Sequence, residues 1–154
     1  MTDVVFHLGD RKTGSTSIQN VLKAGAWRCE GVKLAYPQGK RVHHVSLARS
    51  LTDEPRFGQR RRRFRDMDAW IAGSGADVAV ISSERFELAD PADLKAAIEA
   101  HMPRAGGGVR CVAYVRPHAE RVLSGFAERQ KSGGFLGDLE GVHARMLDGG
   151  TLLY

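Results

Sequence analysis

The sequence has few cysteines and no long apolar run, and each absence excludes a class of protein. Cys29 and Cys111 are the only cysteines among 154 residues, and they lack the paired spacing of a zinc site and the density of a disulfide scaffold. No apolar stretch approaches the roughly 20 residues of a membrane-spanning helix, and the N-terminus lacks a secretory signal pattern. We therefore expect reduced thiols, no membrane span and a cytoplasmic location.

The overall composition is that of a globular protein. Apolar residues make up 42% and charged residues 27% of the chain, which excludes a disordered segment. A length of 154 residues is enough to bury one sizeable core, so we predict a single domain over residues 1–154. The net charge of +5, from 23 Lys and Arg against 18 Asp and Glu, favours anionic ligands.

The densest positive charge is a run of six arginines between Arg56 and Arg65. Such a run is usually the solvated face of a helix, although it can also attract a nucleic acid or an acidic glycan. We expect Trp27 and Trp70 to pack in the core or at its edge rather than to stack on bases, because no aromatic cluster accompanies them. We favour the solvated face and expect no nucleic-acid partner.

Strand patterns alternate with helix patterns along the whole chain. The hydrophobic periodicity predicts strands at 3–8, 32–36, 77–82 and 109–115, and helices near 18–22, 45–51, 55–72, 91–101 and from 117. This alternation predicts an α/β fold, with a parallel sheet and helices on both of its faces. Ligands bind beyond the carboxyl ends of the strands in such sheets, which here are followed by the segments 9–17, 83–85 and 116 onward.

The segment from Gly9 to Ser17 combines the features of a phosphate-binding loop. It supplies glycines for tight turning, Lys12, and a run of hydroxyl side chains at the predicted start of a helix. The amides at a helix N-terminus and the positive end of its dipole attract anions, and the lysine adds a full charge. The sequence therefore predicts a phosphate site here.

This loop departs from the Walker pattern of ATPases and kinases. Gly9 and Gly14 have the Walker spacing, but Ser15 stands at the position of the Walker lysine, and Lys12 lies two residues before Gly14. The departure disfavours an ordinary ATP-binding site, and the kinase hypothesis would require binding of ATP with magnesium.

Two motifs of the sequence resemble those of another family. Residues 12–19, Lys-Thr-Gly-Ser-Thr-Ser-Ile-Gln, closely resemble the 5′-phosphosulfate loop of bacterial sulfotransferases, Pro-Lys-Thr-Gly-Thr-Thr-Ser-Leu-Gln, with Arg11 in place of the proline. The second signature of that family is a strand that ends in Arg, followed by a helix with a Ser eight positions on. Arg116 and Ser124, with Pro117 at the helix start, are similar to it. Tyr36-Pro37 and His43-His44 also resemble bacterial members, so the likeness covers most of the chain.

The resemblance implies a P-loop NTPase-like three-layer fold and 3′-phosphoadenosine 5′-phosphosulfate (PAPS) as the donor, without a metal. It implies that Lys12 stabilises charge on the bridging oxygen, and that Arg116 and Ser124 hold the 3′-phosphate. The implied donor-binding residues are Lys12, Thr13, Gly14, Ser15, Thr16, Ser17, Arg116 and Ser124.

Sulfuryl transfer also needs a base that takes the proton of the acceptor. The candidates are Glu84, at the carboxyl end of a strand, and the loop residues His43 and His44. The family uses either His or Glu in this role. We favour Glu84, with His44 next, because a strand end is a more rigid platform than a loop. The structural alternative is that Glu84 caps a turn or pairs with Arg85.

The sequence therefore predicts a sulfotransferase that acts on a hydroxyl or amine acceptor, which can be a small molecule or a glycan. The alternative is a degenerate sulfotransferase that binds phosphorylated nucleotides without catalysis. Domains of the family continue beyond the second motif, whereas this sequence stops after the apolar residues 152–154, which is typical of a C-terminally incomplete domain. Apolar surface left uncovered in this way would favour a homodimer.

Overall fold

A computed structural model describes residues 1–37, 42–104, 107–133 and 137–149, which form two compact units. The first unit contains Met1–Asp10 and Gly14–Tyr114, and the second contains Arg11–Thr13 and the residues from Val115 onward. The apolar residues 152–154 lie outside the described residues. Within the described ranges, every helix is too short or too polar to cross a membrane.

The first unit is an α/β structure built on a four-stranded parallel sheet. Its strands are β1 (Asp3–His7), β2 (Leu34–Ala35), β3 (Val78–Ser82) and β4 (Val109–Val112), in the spatial order β2-β3-β1-β4. Its helices are α1 (Ser15–Ala24), α2 (Val45–Thr52), α3 (Arg60–Ser74) and α4 (Pro91–His101), with 3₁₀ segments at Glu54–Gln59 and Glu84–Leu88. The predicted α/β class and parallel sheet are confirmed.

One face of this sheet carries the apolar core. Side chains alternate between the two faces of a strand, so Val4 and Phe6 of β1 point to the same side as Ala79 and Ile81 of β3. All four are fully buried. They pack in one cluster with side chains of α2, α3 and α4, among them Leu47, Leu51, Phe64, Ile71, Leu94 and Ala97.

The opposite face of the sheet is polar at the carboxyl ends of β1 and β3. His7 and Ser82 are paired in the register of β1 and β3 and point away from the apolar core. Gln19 of α1 donates a hydrogen bond from Nε2 to Ser82 Oγ at 2.9 Å, which places α1 on this face. The sheet of the first unit therefore has helices on both faces.

The second unit has a small core of its own. It contains α5 (His118–Lys131) and α6 (Leu139–Asp148), which pack through Val122 and Phe126 on one helix and Val142 and Met146 on the other. Asp138 caps α6 by accepting a hydrogen bond from the Gly141 amide at 2.8 Å. The sequence predictions missed α6, although an acidic cap followed by an acid in the first turn is a signal for a helix start.

The predicted element boundaries differ from the observed ones where proline or an exposed edge intervenes. The predicted helix at 55–72 begins as a 3₁₀ segment through Pro55 and Gly58, and the α-helix starts only at Arg60. Strand β4 ends at Val112, but the Asp10 amide still donates to the Tyr114 carbonyl at 3.0 Å. The start of α4 agrees with the prediction, because Asp90 accepts a hydrogen bond from the Ala92 amide at 2.7 Å.

We expect a side chain at Gly9 to destabilise the first unit. Gly9 has a φ of +101°, and a Cβ atom there would lie 3.0 Å from the Glu84 Cα. The Gly9→Ala variant should therefore lower the free energy of unfolding by about 1–3 kcal/mol, as measured by urea denaturation.

The matched control for this measurement is Gly73→Ala in α3, where an added Cβ meets no atom within 4 Å. It should be neutral or stabilising by about 0.5–1 kcal/mol, because alanine favours the helix. Equal stability of the two variants would contradict the close approach at Gly9.

Candidate functional site

The carboxyl ends of β1 and β3 meet at one point of the first unit. The Ser83 amide donates to the His7 carbonyl at 3.1 Å, and Gly9 packs directly against the backbone of Glu84. From β1 the chain continues to β2 at one edge of the sheet, and from β3 it continues to β4 at the opposite edge. Open α/β sheets bind ligands at such a reversal of strand order, so this point is the natural place for a site.

The loop after β1 leads into α1 through a glycine cap. Gly14 is the N-cap residue, with a φ of 89°, and no side chain caps the helix. The Ser15 hydroxyl is buried and donates to the Asp10 carbonyl at 3.2 Å, whereas Thr16 and Ser17 are exposed. Ser15 is therefore used within the loop, while the two exposed hydroxyls at the positive end of the helix dipole are accessible to an anion.

The second unit brings together the two cations predicted from separate motifs. The guanidinium of Arg116 donates from Nη1 to the Lys12 carbonyl at 2.9 Å, across a sequence separation of 104 residues. Lys12 has a left-handed backbone with a φ of 66°, and Thr13 follows it in the same unit. Pro117 precedes the first residue of α5, as predicted. The Arg116 guanidinium thus lies against the backbone of Lys12.

Acidic groups of α5 contact both cations. Lys12 Nζ lies 3.4 Å from a carboxylate oxygen of Glu128, and Arg116 Nε donates to Glu120 at 2.8 Å. Ser124, between the two glutamates in sequence, is partly exposed, and its hydroxyl makes no hydrogen bond within the described part of the chain. The hydroxyl of Ser124 is therefore available to a ligand, whereas the cations already have counter-ions.

The carboxylate of Glu84 is partly buried and uncommitted. Glu84 is the first residue of the 3₁₀ segment after β3, and among the described residues its side chain forms no hydrogen bond or ion pair. Arg85 contacts the Asp53 carboxylate instead and donates to the Thr52 hydroxyl at 3.1 Å. The hydrogen bond from Arg85 holds the pKa of Asp53 below its usual value. Of the two structural alternatives for Glu84, the pair with Arg85 is not observed.

His44 uses both of its ring nitrogens for contacts with the backbone. Its Nδ1 accepts from the Ser82 amide at 2.9 Å, so the proton is assigned to Nε2, which donates to the Pro37 carbonyl at 3.0 Å. Burial lowers the pKa of His44. The neighbouring His43 is partly exposed, and its buried Nδ1 has no hydrogen-bond partner among the described residues. The contacts of His44 are those of a neutral structural histidine.

A polar network that the sequence did not predict is centred on the hydroxyl of Ser82. Ser82 Oγ lies 2.7 Å from His7 Nδ1 and accepts the hydrogen bond from Gln19. The Tyr36 hydroxyl is also hydrogen-bonded to Ser82, and it donates to the Val42 carbonyl at 2.6 Å. This network joins β1, β3, α1 and the segment after β2 beside the ends of β1 and β3.

Burial changes the acid–base properties of two members of this network. Burial lowers the pKa of His7, an effect that the negative charge of Glu84 partly offsets. Burial raises the pKa of Tyr36 to about 12, against a smaller opposing effect of the hydrogen bond from Ser82. Both side chains therefore remain neutral near pH 7. A histidine within the apolar run of β1 was the available signal for this network in the sequence.

The arginines of α3 are only partly paired. Arg60 lies 3.4 Å from Asp93, and Arg63 donates to the Gln59 side chain at 2.6 Å. The side chains of Arg61, Arg62 and Arg65 are exposed. This arrangement agrees with a largely solvated helix face, and the expected absence of a nucleic-acid partner stays a prediction. The described residues contain no group of three or more His, Cys, Asp or Glu side chains able to hold a metal ion.

Comparison with known proteins leaves the family open. No family model matches the chain, and no curated protein matches it. The resemblance to sulfotransferases therefore stays a prediction that rests on the motifs around Lys12 and Arg116.

Proposed function

We propose that this protein is a sulfotransferase that moves a sulfuryl group from PAPS to a hydroxyl or amine acceptor. The observation that carries the proposal is the contact of the Arg116 guanidinium with the Lys12 carbonyl at 2.9 Å. It joins the two motifs that resemble the donor-binding motifs of the family, although Lys12 and Arg116 are 104 residues apart in sequence. The proposed fold class is the P-loop NTPase-like three-layer architecture, supported by the parallel sheet and by the glycine-containing loop after its first strand.

The residues of the two motifs have the chemistry that a phosphorylated nucleotide requires. The uncapped start of α1 offers backbone amides, and Thr16 and Ser17 offer exposed hydroxyls, for the 5′-phosphate. Arg116 provides a charged donor, and Ser124 an uncommitted hydroxyl, for the 3′-phosphate. Thr13, Gly14 and Ser15 complete the proposed loop, with Ser15 also bonded to the Asp10 carbonyl.

The transfer replaces the bond between sulfur and the bridging oxygen of the donor with a bond between sulfur and the acceptor oxygen or nitrogen. Lys12 stabilises the negative charge that develops on the bridging oxygen. Glu84 accepts the proton that the acceptor loses. The products are 3′-phosphoadenosine 5′-phosphate (PAP) and a sulfate ester, or a sulfamate when the acceptor is an amine. Glu84 suits this role better than His44, because its carboxylate is uncommitted while both nitrogens of His44 contact the backbone.

Calorimetric titration tests the donor site. The protein should bind PAP more tightly than it binds ATP with Mg²⁺, and Lys12→Ala should weaken binding of PAP about 10- to 100-fold, as expected for loss of a charged hydrogen bond. Lys95→Ala removes the same charge from an exposed position on α4 and should leave binding unchanged. Preference for ATP with Mg²⁺, or unchanged PAP binding in Lys12→Ala, would contradict the proposal.

Release of PAP from PAPS in the presence of a panel of alcohols, sugars and amines tests the base. Glu84→Gln should slow transfer about 10²- to 10⁴-fold without changing the affinity for PAP. His44→Asn should lower stability more than the rate constant, because its contacts are to backbone groups.

A slow but stable His44→Asn variant beside an active Glu84→Gln variant would reverse the assignment of the base. The alternative function, a nucleotide binder without catalysis, predicts PAP binding without release of PAP from PAPS in any variant.

A further inference from the structure

Helix α5 presents carboxylates to the same two cations that the proposed function assigns to the ligand. Glu120, Ser124 and Glu128 recur at intervals of four residues, so they lie along one stripe of α5. Glu128 contacts Lys12 at 3.4 Å, and Glu120 contacts Arg116 at 2.8 Å. The hydroxyl predicted to hold a phosphate thus stands between two negative charges that neutralise the predicted phosphate-binding cations.

These ion pairs are of the kind that a ligand can displace. The side chains of Glu120 and Glu128 are 55% and 63% exposed, so water and salt screen both contacts. Arg116 also donates to the Lys12 carbonyl through a different nitrogen, so exchange of its anionic partner at Nε can leave that contact intact. The glutamates can therefore swing into solvent while the cations stay in place.

We propose that Glu120 and Glu128 are internal counter-ions that compete with ligand phosphates for Arg116 and Lys12, and thereby set the affinity and charge selectivity of the nucleotide site. This inference rests on the proposed function, because it assumes that the ligand's anionic groups bind these two cations.

Competition of this kind selects ligands by charge. A ligand with a single negative charge replaces a carboxylate with little electrostatic gain. A phosphate that carries close to two negative charges gains more from the same cation. The glutamates therefore favour phosphomonoester groups over singly charged anions.

The test is a calorimetric comparison of Glu120→Gln, Glu128→Gln and the double variant with the unaltered protein. The probes are PAP and inorganic pyrophosphate, each at the same pH and salt concentration. Asp148→Asn is the matched control, since it removes one negative charge from an exposed position at the end of α6. Urea denaturation of each variant without ligand separates effects on folding from effects on binding.

We expect each Glu→Gln variant to bind both probes about three- to fivefold more tightly, the scale of losing one exposed ion pair. The double variant should gain more than either single variant, and Asp148→Asn should match the unaltered protein. Tighter binding should occur without higher stability of the free protein, because the substitutions remove ion pairs from it.

The outcomes separate this inference from the proposed function. PAP binding that is equal in the Glu→Gln variants and in Asp148→Asn, or weaker in the Glu→Gln variants, overturns the counter-ion role and leaves the donor site standing. Tighter pyrophosphate binding in the variants, without preference for PAP over ATP with Mg²⁺, supports the counter-ion role and contradicts the sulfotransferase proposal. Absence of binding to either probe in every variant overturns both.

Discussion

The register of β1 against β3 is the constraint on which the rest of the first unit depends. Pairing of His7 with Ser82 brings the ends of the two strands level, so the chain leaves both strands at the same edge of the sheet. Gly9 then passes the backbone of Glu84 so closely that an added Cβ atom would lie 3.0 Å from the Glu84 Cα. A shift of one residue would turn Val4 and Phe6 away from the apolar core and bring His7 into it. The packing of the core therefore also fixes the position of the proposed base.

Local signals in the sequence were sufficient for the main elements of the first unit. Three of these signals are the unbroken apolar run that ends at Ser82, the cap and proline at Asp90 and Pro91, and the glycine and hydroxyl run at the start of α1. Each signal lies within or directly beside the element that it predicts. Such signals do not depend on distant contacts, which is why the predicted elements agree with the observed ones apart from their boundaries.

The contacts of individual polar side chains were not predictable in the same way. The partner of Arg85 is Asp53 rather than its neighbour Glu84, and His44 is held by Ser82 and by the carbonyl of Pro37. Each of these pairs joins segments that are distant in sequence or separated by a turn, so neither periodicity nor spacing identifies it. The same holds for Glu128 of α5, whose partner Lys12 lies in the loop after β1. The contact of Glu120 with Arg116 is the exception, because the two residues are four positions apart.

The hydroxyl of Ser82 has a consequence for how this sequence can evolve. Its oxygen contacts His7 and Gln19, and the hydroxyl of Tyr36 is bonded to it as well. Replacing Ser82 with an apolar residue removes a hydrogen-bond partner from three buried side chains at once, whereas replacing the whole set can be nearly neutral. Relatives of this protein should therefore carry the four residues together or substitute them together, which makes positions 7, 19, 36 and 82 a coupled group in an alignment.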